Sequence, residues 1–274
     1  MNLVWQATSD ITLHAGYSRY FSPPPFELVG SQTLAKFEGT TAAPPVGQAT
    51  TPSAERAHYF DVGMSRKMSP ALSIGIDTYY KKSANLIDEG QFGAPIILTP
   101  FTYAQGRQYG AELTANYAAE GIGAYLNLAA QSATGKNIDS SQFNFTQADL
   151  DYIAQHFIHL DHEQKITASG GASYHWNDTR MSVDFLLGSG LRSSPMLADG
   201  LVVPNGSHLP VYFQVNLGFA HELKFDSAGS MTVRLDVINA TDRIYEIRDG
   251  TGVGVGAPQF GPRRGVFVGV TKSI

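Results

Sequence analysis

Residues 166–187 read Ile-Thr-Ala-Ser-Gly-Gly-Ala-Ser-Tyr-His-Trp-Asn-Asp-Thr-Arg-Met-Ser-Val-Asp-Phe-Leu-Leu, and their alternation decides the fold. Before Asn177, the residues Ile166, Ala168, Ala172, Tyr174 and Trp176 take one parity, while Lys165, Thr167, Ser169, Ser173 and His175 take the other. After Thr179, Met181, Val183, Phe185 and Leu187 alternate with Arg180, Ser182 and Asp184. Successive side chains in a strand point to opposite faces, so each segment is a strand with one greasy face and one wet face. The turn-like Asn177 to Thr179 joins them tightly. Segments of about ten residues exceed the five or six usual in soluble sheets.

Outward from this hairpin the same period recurs in both directions. It is read in Ile11 to Tyr17, Leu72 to Asp77, Tyr109 to Tyr117, Ile122 to Leu128, Val211 to Phe219, Met231 to Val237 and Val266 to Val270. With Asn2 to Ala7 and His58 to Arg66 the pattern predicts about 11 strands. The connections alternate too. Thr8 to Asp10, Lys67 to Pro70, Ala119 to Gly121, Asn177 to Thr179 and Lys224 to Gly229 are short. Ser22 to Glu55, Ser83 to Pro100, Lys136 to Glu163, Leu191 to Leu209 and Ala240 to Pro262 are long, which would be anomalous in a compact soluble domain. Tilted strands of ~9–11 residues, tight turns at one rim, long loops at the other and aromatics near strand ends are the requirements of a transmembrane antiparallel up-and-down β-barrel. Tyr17, Phe21, Tyr117, Tyr174, Trp176 and Phe219 sit where such aromatic girdles belong. The competing reading is a soluble sandwich or propeller whose aromatics fill its core. The single helical window is Thr146 to Gln155, with Thr146 as cap. No domain boundary is evident within residues 1–274.

Composition narrows the classes. Of 274 residues only 16% are charged, below the roughly 25% of soluble chains. Nothing approaches ~18 consecutive apolar residues, so no membrane-spanning helix is expected. A net charge of −5 with scattered Lys and Arg leaves no footprint for nucleic acid. The absence of cysteine removes disulfide scaffolds and thiol chemistry.

Several stretches resemble one family. They are Tyr17-Ser-Arg-Tyr-Phe-Ser-Pro-Pro-Pro, Glu55-Arg-Ala-His-Tyr-Phe-Asp-Val-Gly, Tyr79-Tyr-Lys-Lys-Ser-Ala-Asn-Leu-Ile-Asp and Arg107-Gln-Tyr-Gly-Ala-Glu-Leu, then Val237-Ile-Asn-Ala-Thr-Asp-Arg-Ile-Tyr and Gly261-Pro-Arg-Arg-Gly-Val-Phe-Val-Gly-Val. In order and spacing they are similar to the barrel of TonB-dependent outer-membrane transporters. The resemblance implies a place in the outer membrane of a Gram-negative bacterium, among lipid. It implies energy-coupled uptake of a scarce nutrient such as an iron-siderophore complex, driven by the inner-membrane energy-transducing complex (TonB) through a plug domain. No cofactor and no catalytic residue is implied. Such barrels have 22 strands around an N-terminal plug. The chain is therefore expected to be the C-terminal half, without plug or signal peptide, and to need the missing N-terminal strands to satisfy its two edges. It also ends at Ile274, where the family places an aromatic residue. The alternative function is a self-contained β-barrel pore, or a β-rich ligand-binding or adhesin-like protein without energy coupling.

Candidate site residues follow. In a plugged barrel the wet-face charges Asp77, Glu112, Asp184, Arg234 and Asp236 are expected to face the lumen and contact the plug, beside Lys165 and Arg180. For ligand contacts on outer loops the candidates are Tyr20, Phe26, Arg192, Arg248 and Asp249, with Arg263 and Arg264 nearby. Arg suits an anionic chelate and aromatics suit sugars or planar ligands. The string His156-Phe-Ile-His159-Leu-Asp-His162 would place neighbouring imidazoles on one helical face, as a ligand or metal contact. Loop packing is preferred for it, because zinc sites more often space His by four, so no metal is assigned. Gly250-Thr-Gly-Val-Gly-Val-Gly-Ala lacks the helix and Lys of a phosphate loop and reads as an outer loop. No Gly-x-Ser-x-Gly or His-Glu-x-x-His string supports an enzyme.

Overall fold

A computed structural model describes residues 1–24, 36, 39–40, 52–92, 97–198, 200–225, 229–254 and 256–273. Its strands are β1 (Asn2–Gln6), β2 (Ile11–Ser22), β3 (Glu55–Lys67), β4 (Leu72–Phe92), β5 (Ile97–Ala119), β6 (Ile122–Ile138), β7 (Ile158–His159) and β8 (Ile166–Trp176). They continue with β9 (Thr179–Gly188), β10 (Arg192–Ser193), β11 (Ser207–His208), β12 (Tyr212–Phe225), β13 (Gly229–Ile238), β14 (Glu246–Asp249), β15 (Pro258–Phe260) and β16 (Gly265–Ser273). Among the described residues the segment between β6 and β7 holds a 3-10 turn (Gln142–Asn144) and one α-helix, α1 (Gln147–Gln155).

The main sheet runs in the order β1-β2-β3-β4-β5-β6-β8-β9-β12-β13-β16, every neighbour antiparallel, with β7 added beside β6. This is the up-and-down sheet that the alternation predicts. Among the described residues no ladder joins β1 to β16, so the sheet is open. At one end the strands are joined tightly. Glu120 and Gly121, with φ of 41° and 81°, form the doubly left-handed turn that matches strand twist between β5 and β6.

The apolar parity points away from any protein core. Val62 is 61% exposed, Trp176 58%, Leu217 46% and Val268 72%. A soluble sandwich would bury these residues against a second sheet, and among the described residues no such layer covers them. A continuous apolar face of this extent is what lipid requires of a barrel exterior.

One of the expected loops is largely strand instead. Ser83 to Pro100 was expected to be a long loop, yet β4 and β5 continue as a ladder out to Phe92 and Ile97, and β6 continues to Ile138. The phase of alternation changes on the way. Asn85 and Asn137 take left-handed φ of 56° and 61°, a conformation that Asn tolerates better than other residues with a Cβ. Beyond them Leu86, Tyr103 and Ile138, which share the parity of the lipid face, turn to the wet side. A Cβ at Gly106 would lie 2.6 Å from Leu86, and one at Gly135 2.5 Å from the Tyr103 ring. The reason is solvent. Above the bilayer the outside of the barrel meets water, so apolar side chains gain by turning inward.

They turn into a core made by the loops. Leu86, Phe101, Tyr103, Ile138, Ile153 and Leu160 are each at most 3% exposed and form one cluster, which also takes in Val253 of the last loop. Phe101 meets Tyr103 and Phe145 edge to face at 5.1 and 4.8 Å. Each fully buried ring contributes about 2–3 kcal/mol. Helix α1 supplies Ile153 and starts as expected. Thr146 Oγ1 accepts from the Asp149 backbone N–H, and the Asp149 carboxylate accepts from the Thr146 N–H.

The step from β13 toward β16 is fixed by Asn239, fully buried with φ of 49°. Its Nδ2 donates to the carbonyls of Arg243 and Pro262, both at 2.9 Å, and its Oδ1 accepts from the Arg243 N–H at 2.9 Å. Replacement by Ala loses three hydrogen bonds and a tolerant backbone, so Asn239→Ala is expected to lower stability by about 2 kcal/mol. Asn239→Gly should restore only the backbone share. Urea unfolding in detergent micelles, followed by heat-modifiable gel migration, checks the order of the three proteins.

Candidate functional site

The wet face of the sheet forms the first half of the site. A cavity of about 560 Å³ lies on it across β4 to β9, lined by Ser73, Asn116, Tyr125, Ser173, Arg180 and Asp184. The five charges expected in the lumen are all here. Asp77 accepts from His14 Nε2 at 2.8 Å, with Asp61 3.8 Å from the same nitrogen. They meet above Gly63, where a Cβ would stand 2.1 Å from Asp77 Oδ1 and 2.3 Å from His14 Cε1. Glu112 stands opposite Asp77 in the β4–β5 ladder. Asp184 accepts from Asn216 at 2.9 Å, and Arg234 grips Asp236 with two nitrogens at 2.5 and 2.9 Å. Tyr20 also shares this face, edge to face with Tyr59 at 5.9 Å, and is 52% exposed.

The second half is a polar knot where the long loops meet. Leu72 to Asp88 spans sixteen residues of β4, roughly 50 Å of strand at ~3.3 Å per residue. Tilted by ~45°, this still clears an apolar band of ~25 Å, so the knot lies beyond the membrane. Asp161 Oδ1 is 3.0 Å from His162 Nδ1, Asp88 Oδ1 is 3.6 Å from the same nitrogen, and Arg248 Nε donates to Asp161 Oδ2 at 3.1 Å. Burial pushes the Asp88 carboxyl up to about 6 although His162 stands beside it. The hydrogen bond to Asp161 raises His162, against the effect of its own burial. Burial and the charges of both carboxylates hold the Tyr103 hydroxyl well above the usual phenol range.

Beside the knot Glu163, with 1% of its side chain exposed, binds the Arg192 guanidinium, His159 Nδ1 at 2.7 Å and the Ala133 N–H at 2.6 Å. Asn205, fully buried, donates to the His159 carbonyl at 2.8 Å and accepts from the Val253 N–H at 2.9 Å. It therefore ties the 160s segment to the last loop. A second cavity of about 560 Å³ opens next to these groups, lined by Gln131, His159, Glu163, Lys165, Arg192 and His208.

The helical placement of the three histidines does not hold. Helix α1 stops at Gln155, and His156 caps it in extended conformation while stacking on Tyr152 at 4.4 Å. Ile158 and His159 then pair with β6, because the Gly135 and Thr134 backbone offers a free edge there. His156, His159 and His162 consequently have three different partners and do not converge. Arg192 is not an outward ligand contact either, since only 10% of its side chain is exposed and Glu163 holds it. Arg248 points into the knot, and Asp249 accepts from the Thr251 N–H and hydroxyl, which shapes its own turn. Asp242 takes both Arg263 and the Arg264 N–H, so those cations brace a turn. Phe26 lies outside the described residues. Sequence reading missed Asp88, Glu163, Asn205 and Tyr103. Only Asp88 carried a signal, as the last residue of Asn85-Leu-Ile-Asp.

Comparison with protein families matches residues 1–240 to the model described as TonB dependent receptor-like, beta-barrel. A comparison with curated protein sequences returns no match. Among solved structures, the copper transporter OprC is similar at TM-score 0.65 and 16% identity, over 100% of this chain and 39% of that one. The FrpB iron transporter from Neisseria meningitidis gives 0.59 and 14%, over 98% and 38%. The pyoverdine outer membrane receptor FpvA from Pseudomonas aeruginosa PAO1, bound to pyoverdine, gives 0.63 and 11%, over 100% and 35%. At these identities the likeness is one of fold, and the chain spans under two fifths of the length of each of these structures.

Proposed function

Since this chain belongs to the TonB-dependent receptor family, as part of its β-barrel, we propose that it forms wall and outer mouth of an outer-membrane transporter that takes up a scarce nutrient by energy coupling. The observation that carries this is the pairing of a polar face that holds a cavity with an exposed apolar one, leading to a mouth built from packed loops. The polar face offers hydrogen-bonding groups to a plug or to a passing solute. The apolar face solvates the chain in lipid, in the outer membrane of a Gram-negative bacterium.

The free edges of β1 and β16 carry unpaired backbone groups, each worth several kcal/mol in hydrocarbon. Further strands of the same barrel complete them. Coupling to the inner-membrane energy-transducing complex belongs to a plug, which a wall of this kind encloses. An iron-siderophore complex fits as cargo. The fold neighbours include an iron transporter and a pyoverdine receptor, and the cavity beside the knot is lined by Lys165 and His208, which suit an anionic chelate.

Growth and uptake assays test the reading. A strain lacking the gene should lose uptake of one ferric siderophore among a panel supplied singly, and should lose it equally when the energy-transducing complex is removed. Unchanged uptake of every iron source and every alternative metal chelate would sink the transporter reading. Uptake that persists without energy coupling would favour a passive pore.

A further inference from the structure

The loop knot contains a set of groups that no part of the transport reading uses. Asp88 Oδ1, Asp161 Oδ1 and His162 Nδ1 converge so that their ligand atoms all lie within 4.8 Å of one another. The two measured separations, 3.0 and 3.6 Å from the imidazole nitrogen, straddle the edge of a tetrahedron with arms of ~2.0–2.1 Å, which is roughly 3.3 Å. The residues come from different elements, β4 and the segment between β7 and β8, as in a site that fastens loops together.

A second observation concerns the same inward face. Tyr103 is 0% exposed, and its hydroxyl has no hydrogen-bond partner among the described residues. It belongs to the inward-turned face shared by Leu86 and Asp88, two pairs along the ladder from Phe101, which stands opposite Asp88. Both carboxylates act on its hydroxyl electrostatically. A buried hydroxyl left unpaired costs about 1–3 kcal/mol, so a native site normally supplies it with a partner.

We propose that Asp88, Asp161 and His162 bind a first-row divalent cation of the Zn²⁺ class, with a solvent ligand completing the shell beside the Tyr103 hydroxyl. The ligand chemistry is mixed. Two carboxylate oxygens and one imidazole nitrogen suit a borderline ion, whereas Ca²⁺ takes 6–8 oxygens. Outer partners hold the ligands in place. Arg248 fixes Asp161 through its other oxygen, and the Glu89 N–H donates to Asp88 Oδ1 at 2.8 Å. The half-exposed His162 ring coordinates through Nδ1 and keeps its proton on Nε2, toward water. Gly252 packs on the Asp161 Cβ, so an ion here staples the β4 extension, the 160s segment and the last loop into one cap.

The test uses the full chain, extracted from the membrane in detergent and stripped with EDTA. Calorimetric titration with ZnCl₂ should give one ion per chain. Asp88→Asn and His162→Gln should each weaken binding at least tenfold, while His175→Gln, at the opposite rim, should leave it unchanged. Absorption spectroscopy at the zinc edge on the unaltered protein, which does not depend on any variant folding, should find one imidazole and otherwise oxygen ligands at ~2.0–2.1 Å. Absence of stoichiometric binding, binding that survives both substitutions, a preference for Ca²⁺, or a shell with two or more imidazoles would each overturn the proposal.

Discussion

Glu163→Ala is expected to lower the stability of the outer loops by about 3–5 kcal/mol, the range for removing one partner of a buried ion pair. The carboxylate is almost wholly enclosed and serves three donors at once, on β6, on β7 and on β10. Its loss leaves the Arg192 guanidinium buried with no counter-ion. Arg192 Nε already has no partner among the described residues, so the guanidinium has little to fall back on. Glu163→Gln keeps an oxygen for the Ala133 N–H but not the charge, and should fall between the two proteins. Hydrogen exchange across residues 157–164 and urea unfolding in micelles measure the effect. A change under about 1 kcal/mol would mean that Arg192 reaches water once released, and that the loops rest on the apolar cluster alone.

The second large effect separates the two faces of one strand. Leu128 and Asn127 are neighbours on β6, both exposed, and their register partners are Leu113 with Ala168 and Thr114 with Ser169. Leu128 lies six residues beyond the β5–β6 turn, near the middle of the apolar band. Leu128→Arg is expected to cost about 2–4 kcal/mol of stability in lipid vesicles, because the guanidinium must leave water for hydrocarbon. Asn127→Arg, one residue away, should change stability by less than about 1 kcal/mol, since its face meets water. Equal effects at the two positions would contradict a lipid-facing exterior, and with it the proposal that the polar face lines a passage.

Much of the architecture was legible because its cause is local. The two-residue period between Ile166 and Leu187 needs only the rule that side chains alternate. The tight ends at Glu120-Gly121 and Asn177-Asp178 need only turn chemistry. The helix was equally plain, since Thr146 and Asp149 cap it across three residues. Where the reading stopped was at Asn85. A single residue in left-handed conformation reverses which parity is buried, and Ser83 to Phe92 then looks like loop because its apolar residues no longer match the lipid pattern. The candidate site was legible on the wall and not at the mouth. That Asp77, Glu112, Asp184, Arg234 and Asp236 share one face follows from parity alone, whereas Asp88, Glu163 and Asn205 act through partners tens of residues distant.

The long strands of the main sheet, their two faces and the end at which loops gather are written locally, because period, turn residues and charge content are properties of neighbouring residues. Which polar groups meet depends on how the loops pack. Asp88 joins Asp161 and His162, Glu163 joins Arg192, and Tyr103 turns inward, because three loops share one apolar core and ladder register brings distant residues within bonding distance. Electrostatic and hydrogen-bond energies fall off over a few ångströms of space, whatever the separation along the chain.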